Sequence, residues 1–297
     1  MLDTILDVLL DVLLDTVKLL PFLFLTYLAM EYIEHKTGEK AKDAIRASGK
    51  VGPLFGSILG AFPQCGFSAA ASSLYAGRII TVGTLIAVYL STSDEMLPIF
   101  ISEHVPVTDI LKILAMKMII GLFVGFAVDI SARLIIRSRS HTPSPEIGHI
   151  CEHDHCNCEE EGIFKSAVHH TLQITAFIFA VSLVLGYIIE FIGEESLANF
   201  ITNKPIIGEL VAGIIGLIPN CAASVVITQL YLEGALSFGA MMSGLLVGAG
   251  IGLVVLFRMN ENKLRNVEIV GILYLSGVVF GILIELLDVA SLFGLSI

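Results

Sequence analysis

GPLFGSILGAFPQCGFSAAASSLYAG, residues 52–77, sets Pro63, Gln64 and Cys65 in the middle of an apolar stretch, and GELVAGIIGLIPNCAASVVITQLYLEG, residues 208–234, does the same with Pro219, Asn220 and Cys221. The two segments align without a gap at an offset of 156 residues. Over residues 52–90 eleven pairs are identical, among them Gly60 with Gly216, Pro63 with Pro219, Cys65 with Cys221, Ser68 with Ser224 and Tyr75 with Tyr231. Unrelated sequence of this composition would match at roughly three positions, so the chain carries an internal duplication. The same offset pairs Glu34 with Glu190, Gly121 with Gly277, Gly125 with Gly281 and Asp129 with Glu285. The duplication therefore covers two whole halves.

Hydrophobic residues make up 55% of the chain and charged residues 15%, with a mean hydropathy of +0.86. That is far from an ordinary soluble domain and excludes nucleic acid as a partner class in favour of the lipid bilayer. Val17 to Tyr32, Ile79 to Tyr89, Ile113 to Ile130, Leu172 to Ile192, Ala240 to Phe257 and Val270 to Leu287 are apolar enough to contribute spans. Their apolar runs are continuous rather than alternating, which favours helices over a barrel. The start of the chain has neither a basic region nor a small-residue cleavage site, so no cleaved signal peptide is expected and the first span serves as the targeting signal.

Three basic clusters set the topology: Lys36, Lys40, Lys42, Arg46 and Lys50; Arg133, Arg137 and Arg139; Arg258, Lys263 and Arg265. Placing all three inside requires an even number of crossings between clusters. A span before Glu34, a hairpin at about residues 51–62 and 65–76, a span after Ile79 and one ending near Arg133 meet that count with five helices per half. An odd count inverts one half against the other. The expected fold is an all-α integral membrane protein of two inverted-topology five-helix repeats, residues 1–136 and 164–297, with broken or re-entrant helical hairpins. A cytosolic linker, 137–163, joins them. The protein is expected to be multi-pass in the cell membrane with both termini outside.

The hairpins are the expected transport site. Proline removes a helix donor, and backbone left unpaired at membrane depth is tolerated only inside protein or against a water-filled cavity. Pro63, Gln64, Cys65 and Ser68 would then meet Pro219, Asn220, Cys221 and Ser224 near the midplane. A Cys just after a Pro sits at a half-helix N-terminus that favours thiolate, suited to a soft cation or metalloid. The alternative is that small residues and inert thiols only permit tight packing. Ser93, Asp94 and Glu95 close the span after the first hairpin and have no acidic counterparts in Ala249, Gly250 and Ile251. They could hold a hard cation or take up protons, with His104 as a further carrier, or cap the next turn at an aqueous surface.

The linker concentrates His149, Cys151, His153, His155, Cys156 and Cys158, the ligand chemistry of Zn, Cu or Mn, at spacings that match no zinc finger. It reads as a flexible metal-collecting strap, the alternative being a solvated charged linker with incidental histidines. Asp3, Asp7, Asp11 and Asp15 recur every fourth residue and give the first helix an acidic face. They account for part of the net charge of −11.

The GAFPQCGFSAAASSLYA, STSDEMLP and IPNC stretches, with the His/Cys-rich linker, resemble the ten-helix heavy-metal exporters, a family described as manganese or arsenic efflux proteins and distantly similar to organoarsenical permeases. The resemblance spans nearly the whole chain. It implies export of a metal or metalloid, either Mn²⁺ or another divalent heavy metal, or arsenite or an organoarsenical. No phosphate-binding loop is present, so a gradient is the expected motor and no cofactor is required. Exporting a divalent cation against an inside-negative potential costs about 4.6 kcal/mol per 100 mV, which exchange for two protons would cancel. Partners are the ion, protons and lipid, with a homodimer left open. A membrane-embedded thiol enzyme using Cys65 or Cys221 would need a positioned base, and neither hairpin contains His or Lys.

Overall fold

The computed structural model describes residues 9–10, 12–14, 16–18, 20–21, 23–25, 27–28, 51–62, 66–93, 96–137, 163–192, 206–292 and 294. Pro63, Gln64, Cys65, Asp94, Glu95, the six linker ligands and the four N-terminal aspartates lie outside the described residues. Among the described residues every regular element is a helix. The first half contains α1 (Gly52–Gly60), α2 (Gly66–Ala76), α3 (Val82–Ser91), α4 (Met96–Ser102) and α5 (Val107–Arg137). The second contains α6 (Ile163–Ile192), α7 (Ile207–Gly216), α8 (Cys221–Leu232), α9 (Phe238–Val247), α10 (Ile251–Met259), α11 (Lys263–Leu286) and a last turn α12 (Val289–Leu292). Helical residues between 9 and 28 take the place in the first half that α6 has in the second. The sequence offset is also a structural one: α3 and α9 start and stop 156 residues apart, and α5 and α11 start 156 residues apart.

Equivalent residues start the equivalent helices. The side chains of Thr81 and Ser237 accept the N–H of Thr84 (3.1 Å) and Ala240 (3.2 Å) at the N-termini of α3 and α9. A carboxylate from the returning span takes another orphan donor of each first turn. Asp129 on α5 accepts from Gly83 N–H (2.9 Å) and from the Thr81 hydroxyl (2.7 Å), and Glu285 on α11 accepts from Gly239 N–H (2.8 Å). A helix N-terminus favours negative charge, so each acid clamps two spans together at their shared end. These clamps need the helices close. A Cβ at Gly83 would stand 2.2 Å from the Gly125 carbonyl oxygen, and one at Gly239 2.6 Å from that of Gly281.

The hairpins are re-entrant. Along α1, a Cβ on Gly52 would strike Thr84, one on Gly56 would strike Thr84 and Val88, and one on Gly60 would strike Val88 and Ser91. The contacts advance in one direction, so α1 runs parallel to α3. Residues 77–81 return α2 to the start of α3, so the hairpin enters and leaves on the face where α3 begins. Nine residues of α1 rise about 14 Å, roughly half of a bilayer core.

The halves run in opposite directions. α2 packs on α10, and its counterpart α8 packs on α4. A hairpin arm near one face lies level with the far part of the other repeat's span only if that span points the other way. Side-chain proximities repeat the relation: Tyr75 on α2 lies within electrostatic range of Arg265 at the start of α11, and Tyr231 on α8 within electrostatic range of Asp109 at the start of α5. Both residues of one contact are the offset partners of the other, the self-complementary pattern of a two-fold axis.

The apolar run Val82–Ser102 is 75% buried and Phe238–Met259 89% buried, against 39% for Val107–Leu134 and 33% for Lys263–Leu286. The centre of the molecule is thus the pair α3–α4 and α9–α10. The flanking spans turn Ile119, Phe123, Ile130 and Leu134 of α5, and Leu275, Val279 and Leu283 of α11, outward as a lipid-facing surface. Each central span is interrupted midway, between Ser91 and Met96 and between Val247 and Ile251. This corrects the expectation of an aqueous boundary for Ser91, Thr92 and Ser93: all three are buried, and the apolar stretch resumes beyond them. Pro98, in the first turn of α4, has no N–H to donate back across the interruption. In the second half Gly250 turns the chain at φ +52°, a region open to glycine.

Gly83→Ala and Gly125→Ala are each expected to lower stability by about 1–3 kcal/mol through overpacking. Gly271→Ala on α11, whose Cβ would meet nothing within 4 Å, is expected to leave stability unchanged or raise it slightly. Unfolding temperatures of the purified protein in nanodiscs check both.

Candidate functional site

The two interruptions gather the polar side chains of both halves. Asn220 has extended backbone and caps α8, its side-chain oxygen accepting from Ala222 N–H at 3.4 Å. Pro219 is half-buried just before it, and Cys221 is the first residue of α8 and buried. Ser224, one turn on, faces the gap between α9 and α10, its hydroxyl 3.6 Å from where a Gly248 Cβ would stand. Ser68 of α2 is fully buried against the other side of the same gap, and a Cβ on Gly252 would come within 2.9 Å of the Ser68 Cβ. Of the sequence-predicted residues the structure therefore brings Ser68 and Ser224, one from each half, to a single interruption.

Ser93 lines the other interruption. Its hydroxyl donates to the Ser91 carbonyl (3.0 Å), that of Ser91 to Ala87 (2.7 Å) and that of Thr92 to Val88 (2.8 Å). All three side chains thus bond to the end of α3, where no water is needed to keep the polar groups buried. His104 is not brought here. It lies exposed in the turn between α4 and α5 at φ +58°, beyond the opposite end of α4 and about 10 Å of helix away from the interruption.

Between the interruptions runs a hydroxyl pair that crosses the halves. Tyr89 of α3 and Ser72 of α2 lie 2.7 Å apart, and both reach the Gly252 carbonyl of α10, at 3.1 and 2.7 Å. All three residues sit in the buried interior, where each unmade bond would cost the desolvation of its group.

Two further ionisable residues escape a reading of the hairpins alone. Lys117, about a third of the way along α5, is fully buried; its ammonium donates to the Thr92 carbonyl just past α3 and to the Leu245 carbonyl in the last turn of α9 (2.9 Å). The signal for it was the one basic residue inside the apolar stretch Ile113 to Ile130, since an ionisable group in a span is rarely incidental. Glu209, in the first turn of α7, is 1% exposed, and its Oε2 has no hydrogen-bond partner. Its repeat mate is Pro53, so the acid is present once. Among the described residues no three His, Cys, Asp or Glu side chains converge. The described surroundings of the interruptions offer carbonyls, hydroxyls, one thiol and one ammonium.

Tyr89→Phe and Ser72→Ala are each expected to cost about 1 kcal/mol of stability, and the double variant less than their sum by at least about 0.5 kcal/mol. A double-mutant cycle by denaturation that returns strict additivity would show the hydroxyls acting apart.

No curated protein and no solved structure matches the chain. The sequence pattern of one family, described as "Putative, 10TM heavy-metal exporter", matches residues 2–169 and again residues 157–293, one match to each half. The two matches meet where the linker joins the repeats and together take in both interrupted spans and both hairpins. By sequence and by its duplicated helical architecture, the chain belongs to this family of ten-span heavy-metal exporters.

Proposed function

We propose that the protein is a secondary-active efflux transporter that carries a metal or metalloid ion through the zone where the two interrupted spans and the two half-depth hairpins meet. The observation that carries this is the level meeting of interruptions from oppositely directed repeats, α3–α4 and α9–α10, each flanked by a hairpin arm of the other half. Half-helix ends exposed to one another at membrane depth supply oriented dipoles to a dehydrated ion, and opposed repeats rocking about them open the site to either side. Family membership supplies the direction, export. The face bearing Arg78, Arg133, Arg258, Lys263 and Arg265 is read as cytosolic. On that reading α1–α2 enters from the cytosol and α7–α8 from outside, and the linker is cytosolic.

For Mn²⁺ or another divalent ion, Asp94 and Glu95, beside the buried Ser93, supply hard ligands and exchange for protons. Glu209, at the start of the outward-opening hairpin, joins them as a proton carrier. A second reading, arsenite or an organoarsenical, rests on Cys221: a buried thiol at the first position of a half-helix is a ligand for a neutral trivalent arsenic species, and Cys65 is its repeat mate. The linker ligands His149, Cys151, His153, His155, Cys156 and Cys158 collect metal ahead of the site.

Initial-rate flux in proteoliposomes with an imposed proton gradient, across Mn, Zn, Cd, Co, arsenite and methylarsenite, separates the readings. The Cys65→Ser/Cys221→Ser variant is expected to lose soft-ion or arsenic flux by at least about tenfold and to spare manganese; Asp94→Asn/Glu95→Gln is expected to do the reverse. If neither pair changes the flux of any ion carried by the parent, the path lies elsewhere.

Replacing the six linker ligands by Ser is expected to raise the metal concentration needed for half-maximal flux while leaving the saturated rate intact. Loss of the saturated rate at normal expression would make the linker part of the scaffold instead.

A further inference from the structure

α3 and α9 both end in the middle of the protein, and the last carbonyls of a helix have no donors within it. At a surface water would satisfy them. Here Thr92 is 4% exposed and Leu245 3%, so the partner must come from the protein or from a bound ion. The carbonyl end of a helix carries the negative pole of its dipole; the Leu245 carbonyl lies in the last turn of α9 and the Thr92 carbonyl just past α3, and the two, one from each half, meet at one point. A cation is the species that point favours.

We propose that this point is a binding site for a small monovalent cation, and that the Lys117 ammonium is its built-in occupant. Four observations converge. The nitrogen bonds the Thr92 carbonyl and, at 2.9 Å, the Leu245 carbonyl, two backbone oxygens of the kind that ligate an inorganic ion. The side chain is fully buried and arrives from α5, a third element, which lets the charge bridge both halves. The offset partner of Lys117 is Leu273, also fully buried, so the scaffold is duplicated while the charge is single. The contacts fall at the two places where spans are interrupted, which are the hinges of the proposed rocking motion. Spans broken at this depth use their carbonyl ends to hold coupling cations. A tethered ammonium of similar size and equal charge fills that role without an ion from solution.

The site goes beyond the transport reading and can be tested without it. The full chain carrying Lys117→Ala is purified in nanodiscs with methylammonium chloride present throughout; the salt is then exchanged for tetramethylammonium chloride, too large to enter, at equal ionic strength. The Ala variant is expected to unfold at least about 5 °C lower in tetramethylammonium than in methylammonium. The loss is expected to be regained saturably with ammonium, methylammonium or potassium, while the parent is indifferent to the exchange. Lys117→Met, which fills the space without charge, is expected to be destabilised and to gain nothing from any of these ions. A structural lysine that acts only by packing would give no such ion selectivity. An Ala variant equally stable in every salt, one that fails to fold even in methylammonium, or a Met variant as stable as the parent would each overturn the proposal. Because the readout is an unfolding temperature, failure of the flux experiments leaves this result interpretable.

Discussion

A helix that stops in the middle of a membrane protein leaves carbonyls and N–H groups that lipid cannot satisfy, and most of the architecture follows from that constraint. The two interrupted spans are driven to the centre, where other protein covers them, and unbroken α5 and α11 take the lipid-facing positions. Hydroxyls next to the breaks bond back to helix carbonyls, as Ser91, Thr92 and Ser93 do, or across the halves, as Ser72 and Tyr89 do at Gly252. Interruption at this depth is tolerable only because the second repeat brings its own broken span alongside.

What the duplication preserves is the machinery that holds spans together. Thr81 and Ser237, Gly83 and Gly239, Gly125 and Gly281, Asp129 and Glu285 form the same clamp twice, with backbones close enough that a methyl group would collide. What it does not preserve is charge near the breaks. Lys117 faces Leu273 across the offset, Glu209 faces Pro53, and Asp94 and Glu95 face Gly250 and Ile251. A symmetric frame makes opposite-facing states of nearly equal energy, as alternating access requires, and single charges within it can bind or couple an ion without being duplicated.

Family membership supports heavy-metal export as the class of activity, and the chemistry around the breaks bears on which metal. Carbonyls and hydroxyls suit a hard or a dehydrated neutral species, the Cys221 thiol a soft one. A buried ammonium such as that of Lys117 opposes a bare divalent cation close to it unless acids balance the charge.

The sequence by itself determined the membrane class, the helices, the two halves and their opposed directions. Apolar run length, the offset of 156 and the odd helix count are local or countable properties, and each follows from what a bilayer permits. It marked Ser68 and Ser224 through their identity at matched positions. Only the tertiary structure decided that Ser91, Thr92 and Ser93 lie buried inside the molecule rather than at a span's aqueous end, because a polar run is the same string in either place and its burial depends on what packs around it. Asp129 and Glu285 were visible as an offset pair, but that they cap the neighbouring helix depends on α5 and α11 returning antiparallel within a glycine's reach. Lys117 and the carbonyls of Thr92 and Leu245 are 25 and 128 residues apart in the chain, and no local pattern joins them. Their meeting is set by the crossing of the halves, since a buried ammonium needs acceptors around it and carbonyls from both halves supply two of them here.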